Sequence, residues 1–188
     1  RAVRALLSQS VDVNAPQPDG ATALHWAAHW NDVETAALLI DAGAEVNAEN
    51  ELGATPLSLA ALNASAEMGA ALLRAGADAN TSKPSGESVL MTAARTGSAD
   101  LVRALLAAGA DLQTTGHFLR QTPLMWSASE GHARIAHLLL EAGAPVDVRS
   151  QHGTTALLLA ARAGDVETAR ALLDAGADVN AAEPLLPF

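Results

Sequence analysis

Short apolar stretches alternate along the chain in two forms, separated by polar residues. In the first, as in ATPLSLAALNAS at 54–65, apolar and small residues follow a threonine, and alanines come in pairs at Ala27–Ala28, Ala60–Ala61, Ala93–Ala94 and Ala160–Ala161. In the second, as in VETAALLIDAGA at 33–44 and LVRALLAAGA at 101–110, a leucine pair leads into Ala-Gly-Ala. Both forms predict short helices. Thr55 suits the cap of a first helix, and Pro56 the first helical position, where a missing N–H costs nothing. Thr122 and Pro123 repeat that arrangement, while Thr22, Ser88 and Thr155 keep the cap without the proline. The glycine of Ala-Gly-Ala marks the end of a second helix, because glycine accepts the left-handed conformation there. An extended stretch with a turn follows, as in AEVNAENELGAT at 44–55 around Gly53.

The pattern has a period. The Ala-Gly-Ala glycines are Gly43, Gly76, Gly109, Gly143 and Gly176, in steps of 33, 33, 34 and 33. The leucines two residues beyond the caps, Leu24, Leu57, Leu90, Leu124 and Leu157, keep the same steps. Fixed self-similarity of this length predicts a repeat array. Full units are expected at about 15–49, 50–82, 83–115, 116–149 and 150–182, with a partial unit at 1–14 and a partial unit or cap at 183–188. One helix pair cannot bury enough apolar surface by itself, so stacked units share a continuous core.

The units GATALHWAAHWNDVETAALLIDAGAEVN and RQTPLMWSASEGHARIAHLLLEAGAPVD resemble ankyrin repeats. The TPLH-like, paired-alanine, paired-leucine and GADVN-like elements hold register five times. The resemblance implies an all-α solenoid of helix-turn-helix units with short β-hairpin fingers, monomeric here. It also implies non-catalytic protein–protein recognition through a concave face of fingers and first helices. Ten arginines against one lysine, with abundant alanine, resemble bacterial members of the family. The alternative is a targeting or regulatory segment of a larger enzyme or sensor. Residues 1–14 match only the second half of a unit, with Ser10 where glycine is expected. Arg1 in place of methionine predicts a fragment or a processed product, so the native protein is expected to extend further.

Composition narrows the chemistry. About half of the 188 residues are apolar, yet only 3% are aromatic, and alanine and leucine dominate, which favours close-packed small helices. No apolar run reaches the roughly 20 residues of a membrane span. The absence of cysteine excludes disulfides and thiolate metal sites, and suits either a cytoplasm or an oxidising, secreted compartment. A net charge of −10 argues against nucleic acid as partner. Between Arg4 and Arg74 there is no basic residue, whereas nine acids fall there. One reading is an ordinary solvated surface. The other is a bipolar molecule whose N-terminal half attracts a basic partner.

Candidate chemistry is sparse. His25 and His29 lie on one helical face as zinc ligands can, but no third ligand is evident, and the TPLH-like position implies a hydrogen-bonding role for His25. No nucleophile elbow or phosphate loop appears, and no cofactor is expected. Trp26 and Trp126 share a register position expected to be half-buried between helix and finger. His29 and Trp30 end a first helix, where the resemblance implies variable contact residues. In TTGHFLRQTPLMW at 114–126 the expected finger glycine, present as Gly20, Gly53, Gly86 and Gly153 elsewhere, is Arg120, and the finger is one residue longer. Phe118, Leu119 and Arg120 are therefore candidate partner contacts, with packing of Phe118 on a neighbouring finger as the alternative. Arg95, Arg149 and Arg162 are expected on or near the same side and complete the candidate set.

Overall fold

A computed structural model describes residues 11–182; residues 1–10 of the partial unit expected at 1–14, Ser10 among them, and the segment expected at 183–188 lie outside the described residues. Among the described residues, ten helices fall in five pairs: α1 (Ala23–His29) and α2 (Val33–Asp41), α3 (Pro56–Leu62) and α4 (Ala66–Arg74), α5 (Val89–Thr96) and α6 (Ala99–Ala107), α7 (Pro123–Ser129) and α8 (Ala133–Glu141), α9 (Ala156–Ala163) and α10 (Val166–Asp174). First helices pack on first helices and second on second, so the chain builds two helical layers with the finger turns beyond them.

The expected caps form. Thr55 Oγ1 accepts from the Ser58 amide at 3.2 Å, and Ser58 Oγ accepts from the Thr55 amide at 3.0 Å, so each residue satisfies a donor left free by the helix start. Thr122 accepts from Met125 and Thr155 from Leu158 in the same manner. The five Ala-Gly-Ala glycines all take φ between 83° and 94°. Leucines of both layers, among them Leu24, Leu57, Leu90, Leu105, Leu124 and Leu139, are fully buried in one continuous core.

Polar bonds tie unit to unit. Asn14, Asn47 and Asn80 each donate to the carbonyl of Gly43, Gly76 or Gly109 at 3.0–3.2 Å. Each also accepts from the amide of Glu45, Asp78 or Asp111 at 2.8 Å. In the next unit the residue is Gln113, one methylene longer, and neither bond is present among the described residues.

The fingers are turns more than hairpins. Among the described residues the sole β-bridge joins Ser82 to Ser88. The stretches on either side of each tip are too short to carry a ladder: one backbone bond closes the base at Gln17 to Ala21, Asn50 to Ala54 and Ser150 to Thr154, and among the described residues only the third finger adds a second, Val89 to Thr81 beside Lys83 to Glu87.

Gly69 lies buried in α4, and a Cβ there would stand 2.3 Å from Leu101 Cδ1 of α6. Leu101 is itself fully buried and has little room to move. Gly→Ala inside a helix ordinarily stabilises by about 1 kcal/mol, but here overpacking, at about 1–3 kcal/mol, opposes it. Gly69→Ala is expected to lower the melting temperature despite its better helix propensity. A rise in thermal melts would show that the α4–α6 contact gives way freely.

Candidate functional site

The fourth finger departs from its neighbours at one residue. Its base bond runs from the Gly116 amide to the Gln121 carbonyl, spanning five residues where the other four span four. At the tip, the Arg120 amide donates to the Gly116 carbonyl, i to i+4, where Gly20, Gly53, Gly86 and Gly153 each close a tighter i to i+3 turn. Adjacent fingers also bond tip to tip. Glu51 donates to the Asp19 carbonyl, His117 to Ser85, and Gln151 to Leu119, each at 2.9 Å. The rung between fingers two and three is replaced by Pro84, which has no N–H. Because His117 and Leu119 keep their neighbours' roles, Phe118 is the inserted residue. Its ring is 82% exposed. Arg120 holds the left-handed place with φ 51°, where the other four fingers have glycine.

Behind this finger sits a polar cluster. Glu87 accepts from Lys83 at 3.1 Å, Thr92 at 2.9 Å and Arg95 at 3.3 Å. The Arg95 guanidinium in turn lies 5.8 Å over the Trp126 ring, a cation–π arrangement. Burial pushes the Glu87 carboxyl up, but the hydrogen bonds from Lys83 and Thr92 and the charges of Lys83 and Arg95 outweigh it, and the group is held below the usual glutamate range. Asp32 is lowered by hydrogen bonds from the Thr35 hydroxyl and amide. A carboxylate with a depressed folded-state pKa stabilises above its unfolded value, and that contribution disappears as pH falls through the folded one. Melting temperature should therefore drop as pH is lowered below about 4, and Glu87→Gln should drop less over that range. An equal acid loss in both proteins would remove Glu87 from the account.

Two cavities occupy equivalent places between neighbouring units. One, of about 180 Å³, lies between fingers one and two and includes Asp19, His25, Trp26, His29 and Leu59. The other, of about 160 Å³, lies between fingers three and four, with Met91, Phe118, Leu119, Gln121 and Trp126 among its walls. His25 serves the scaffold. Its Nδ1 accepts from the Thr22 amide at 3.1 Å, so the ring hydrogen is on Nε2, which donates to the Ala54 carbonyl at 2.9 Å. Both ring nitrogens are thereby engaged, Nδ1 at the start of its own helix and Nε2 across the junction to the second unit.

The candidate residues fall in three places. Arg95, Phe118, Leu119 and Arg120 gather around the fourth finger and Trp126, which is half-buried as expected. Arg149 ends the fourth unit and Arg162 lies in the fifth, and the Arg149 guanidinium donates to the Gly153 and Ala182 carbonyls at 3.4 and 3.0 Å. His29 and Trp30 lie at the other end, where the His29 ring meets Trp26 and Trp30 edge-on, and Trp26 is more exposed than its place in the repeat suggested. Trp30 is 72% exposed and lines a cleft with Ala15, Ala23 and Ala27. Its register equivalents face the preceding unit: Asn63 donates to the Ala28 and His29 carbonyls, and Thr96 to Ala61. That position thus looks along the array. The Glu87 network, Pro84 and Gln121 were not singled out from sequence; the 33-residue register, which sets Glu87 and Gln121 at places filled by Ala21, Ala54 and Thr154 elsewhere, carries the signal that marks them.

Among the described residues no helix is long and apolar enough to cross a membrane. Family models described as ankyrin repeat match residues 19–51, and as ankyrin repeats in three copies 49–116 and 90–183. The chain is 37% identical over 68 residues to the human (Homo sapiens) ankyrin repeat domain-containing protein 29, covering 34% of this chain and 23% of that protein. It is 41% identical over 46 residues to the E3 ubiquitin-protein ligase XBAT32 of Arabidopsis thaliana, covering 24% of this chain and 9% of that one. The chain thus spans less than a quarter of either relative's length.

Proposed function

Because the chain belongs to the ankyrin repeat family, whose repeats are protein–protein interaction modules, we propose that it is a non-catalytic, monomeric binding array. It engages one protein through the concave face of fingers and first helices, with the fourth finger as anchor. The observation that carries this reading is the finger itself. An inserted phenylalanine stands 82% exposed beside an arginine at φ 51°. A non-glycine residue in that region costs about 1–2 kcal/mol, and local rules are broken in this manner at functional sites. Aromatic and arginine side chains are also those that dominate interface energetics.

The partner meets Phe118, Leu119 and Arg120, with Arg95 beside them and Arg149 and Arg162 beyond, and a basic surface suits the acidic first units, where Asp19, Glu49 and Glu51 lie on the fingers. His29 and Trp30 form a second proposed contact at the other end of the array, where Trp30 is 72% exposed.

A second reading is favoured by one observation. The match to an E3 ubiquitin-protein ligase covers 9% of that protein, as expected of an array that targets chemistry residing elsewhere in a longer chain. Both readings place recognition on the same face. Capture from extracts of the protein's own organism, run in parallel with the parent array and a Phe118→Ala, Arg120→Gly double variant that melts no lower than the parent, tests them. A partner held by the parent and lost by the variant is expected. A partner held equally by both would move recognition off the fourth finger.

A further inference from the structure

Among the described residues, two buried side-chain polar atoms lack a hydrogen-bond partner, Gln121 Oε1 and Trp126 Nε1. Both residues line the cavity between fingers three and four. A buried donor or acceptor left unpaired costs stability, and folded proteins rarely keep one without a use. The preceding unit shows how this place is closed internally. A 34-residue step sets Glu87 at the place of Gln121 and Thr92 at that of Trp126, and the Thr92 hydroxyl donates to Glu87 Oε1 at 2.9 Å. In the fourth unit the corresponding carboxamide oxygen and indole N–H make no such bond. One acceptor and one donor stay open beside the apolar walls formed by Met91, Phe118 and Leu119.

We infer that this cavity receives one carboxamide side chain, asparagine or glutamine, of the protein partner. The inference rests on the reading of the fourth finger as a binding site. A carboxamide offers an NH₂ donor to Gln121 Oε1 and a carbonyl acceptor to the Trp126 indole N–H within one planar group. A carboxylate only accepts, so it would set oxygen against the Gln121 oxygen and add a second negative charge near Glu87. An ammonium only donates and would leave the indole N–H unanswered. The volume of about 160 Å³ suits a single side chain, below the roughly 300–1,000 Å³ of sites that hold larger ligands. Glu87 does not compete for the occupant, since Lys83, Thr92 and Arg95 already bond it. Both open atoms are shielded from solvent, so taking an occupant requires the side chains around them to shift.

The test uses small probes on the ¹⁵N-labelled protein, whose three tryptophans give indole N–H signals assigned by Trp→Phe replacement. Propionamide, propionate, propylammonium and 1-propanol each have three carbons and differ in the polar group. Propionamide is expected to shift the Trp126 signal saturably, in the millimolar range fitting so small a ligand, while Trp26 and Trp30 stay in place. Propionate and propylammonium should leave Trp126 unmoved, and 1-propanol should act more weakly than the amide. Gln121→Leu removes one open polar atom, so its melting temperature should hold or rise, and its propionamide response should vanish. No saturable shift, or an equal response to propanol or propionate, would overturn the inference. If that happened while capture still depended on the fourth finger, the pocket chemistry would fail and the interaction reading would stand. If Trp126 took propionamide but capture ignored the finger, the inference would fall as well, since it needs the partner's side chain there.

Discussion

Phe118→Ala should weaken binding of the captured partner by about 2 kcal/mol or more, roughly 30-fold in Kd, and leave the melting temperature nearly unchanged. Phe118 is 82% exposed, so its ring buries little apolar surface in the fold. The turn that carries it is held by backbone bonds at Gly116, His117, Leu119 and Arg120, and none of them involves the inserted residue. Exposed substitutions away from special features usually change stability by within about 0.5 kcal/mol. Arg120→Gly makes a useful companion. It relaxes a backbone at φ 51° and should stabilise the array by up to about 1 kcal/mol, yet weaken the same complex. Calorimetric titration and thermal melts on the three proteins separate the two quantities. A Phe118→Ala protein that melts well below the parent but binds normally per folded molecule would make the ring a packing residue.

Leu90→Ala carries the largest expected cost to the fold, about 3–5 kcal/mol. Leu90 is fully buried in α5, the first helix of the central unit, with helices of units two and four against it. In an array, stability is a sum of unit and nearest-neighbour terms, and damage at the centre weakens two junctions together. Amide exchange in α3, α5 and α7, expected to be the slowest of the parent protein, should accelerate in the variant before α1 or α9 changes. A uniform acceleration along the whole chain would mean that the array unfolds as one cooperative body, without the junction-by-junction behaviour of a repeat.

Much of this was legible in the chain because each unit states its own local structure. Thr55-Pro56 and Thr122-Pro123 mark helix starts through a missing or unsatisfied N–H, a property of a few consecutive residues. The anomaly at Arg120 was visible as a break in the glycine register. Its identity was not: sequence spacing bounded the extra residue only to 112–123, and it took the bonds of His117 and Leu119 to neighbouring fingers to single out Phe118. Trp30 shows the complementary limit. Its residue type suits an interface, but whether a position looks along the array or toward a partner depends on the helix next to it, and Asn63 and Thr96 disclose that only in three dimensions.

The sequence by itself determined the period, the helix pairs, their caps and the family, because a repeat's core is its own motif stacked on a copy, so local pattern and packing partner are written in the same 33 residues. What only the tertiary structure decided lies between the units. There Glu87 finds Thr92 and Arg95, Arg95 covers Trp126, and Gln121 and Trp126 are left open, since side chains from separate units meet at distances that no spacing along a single unit encodes.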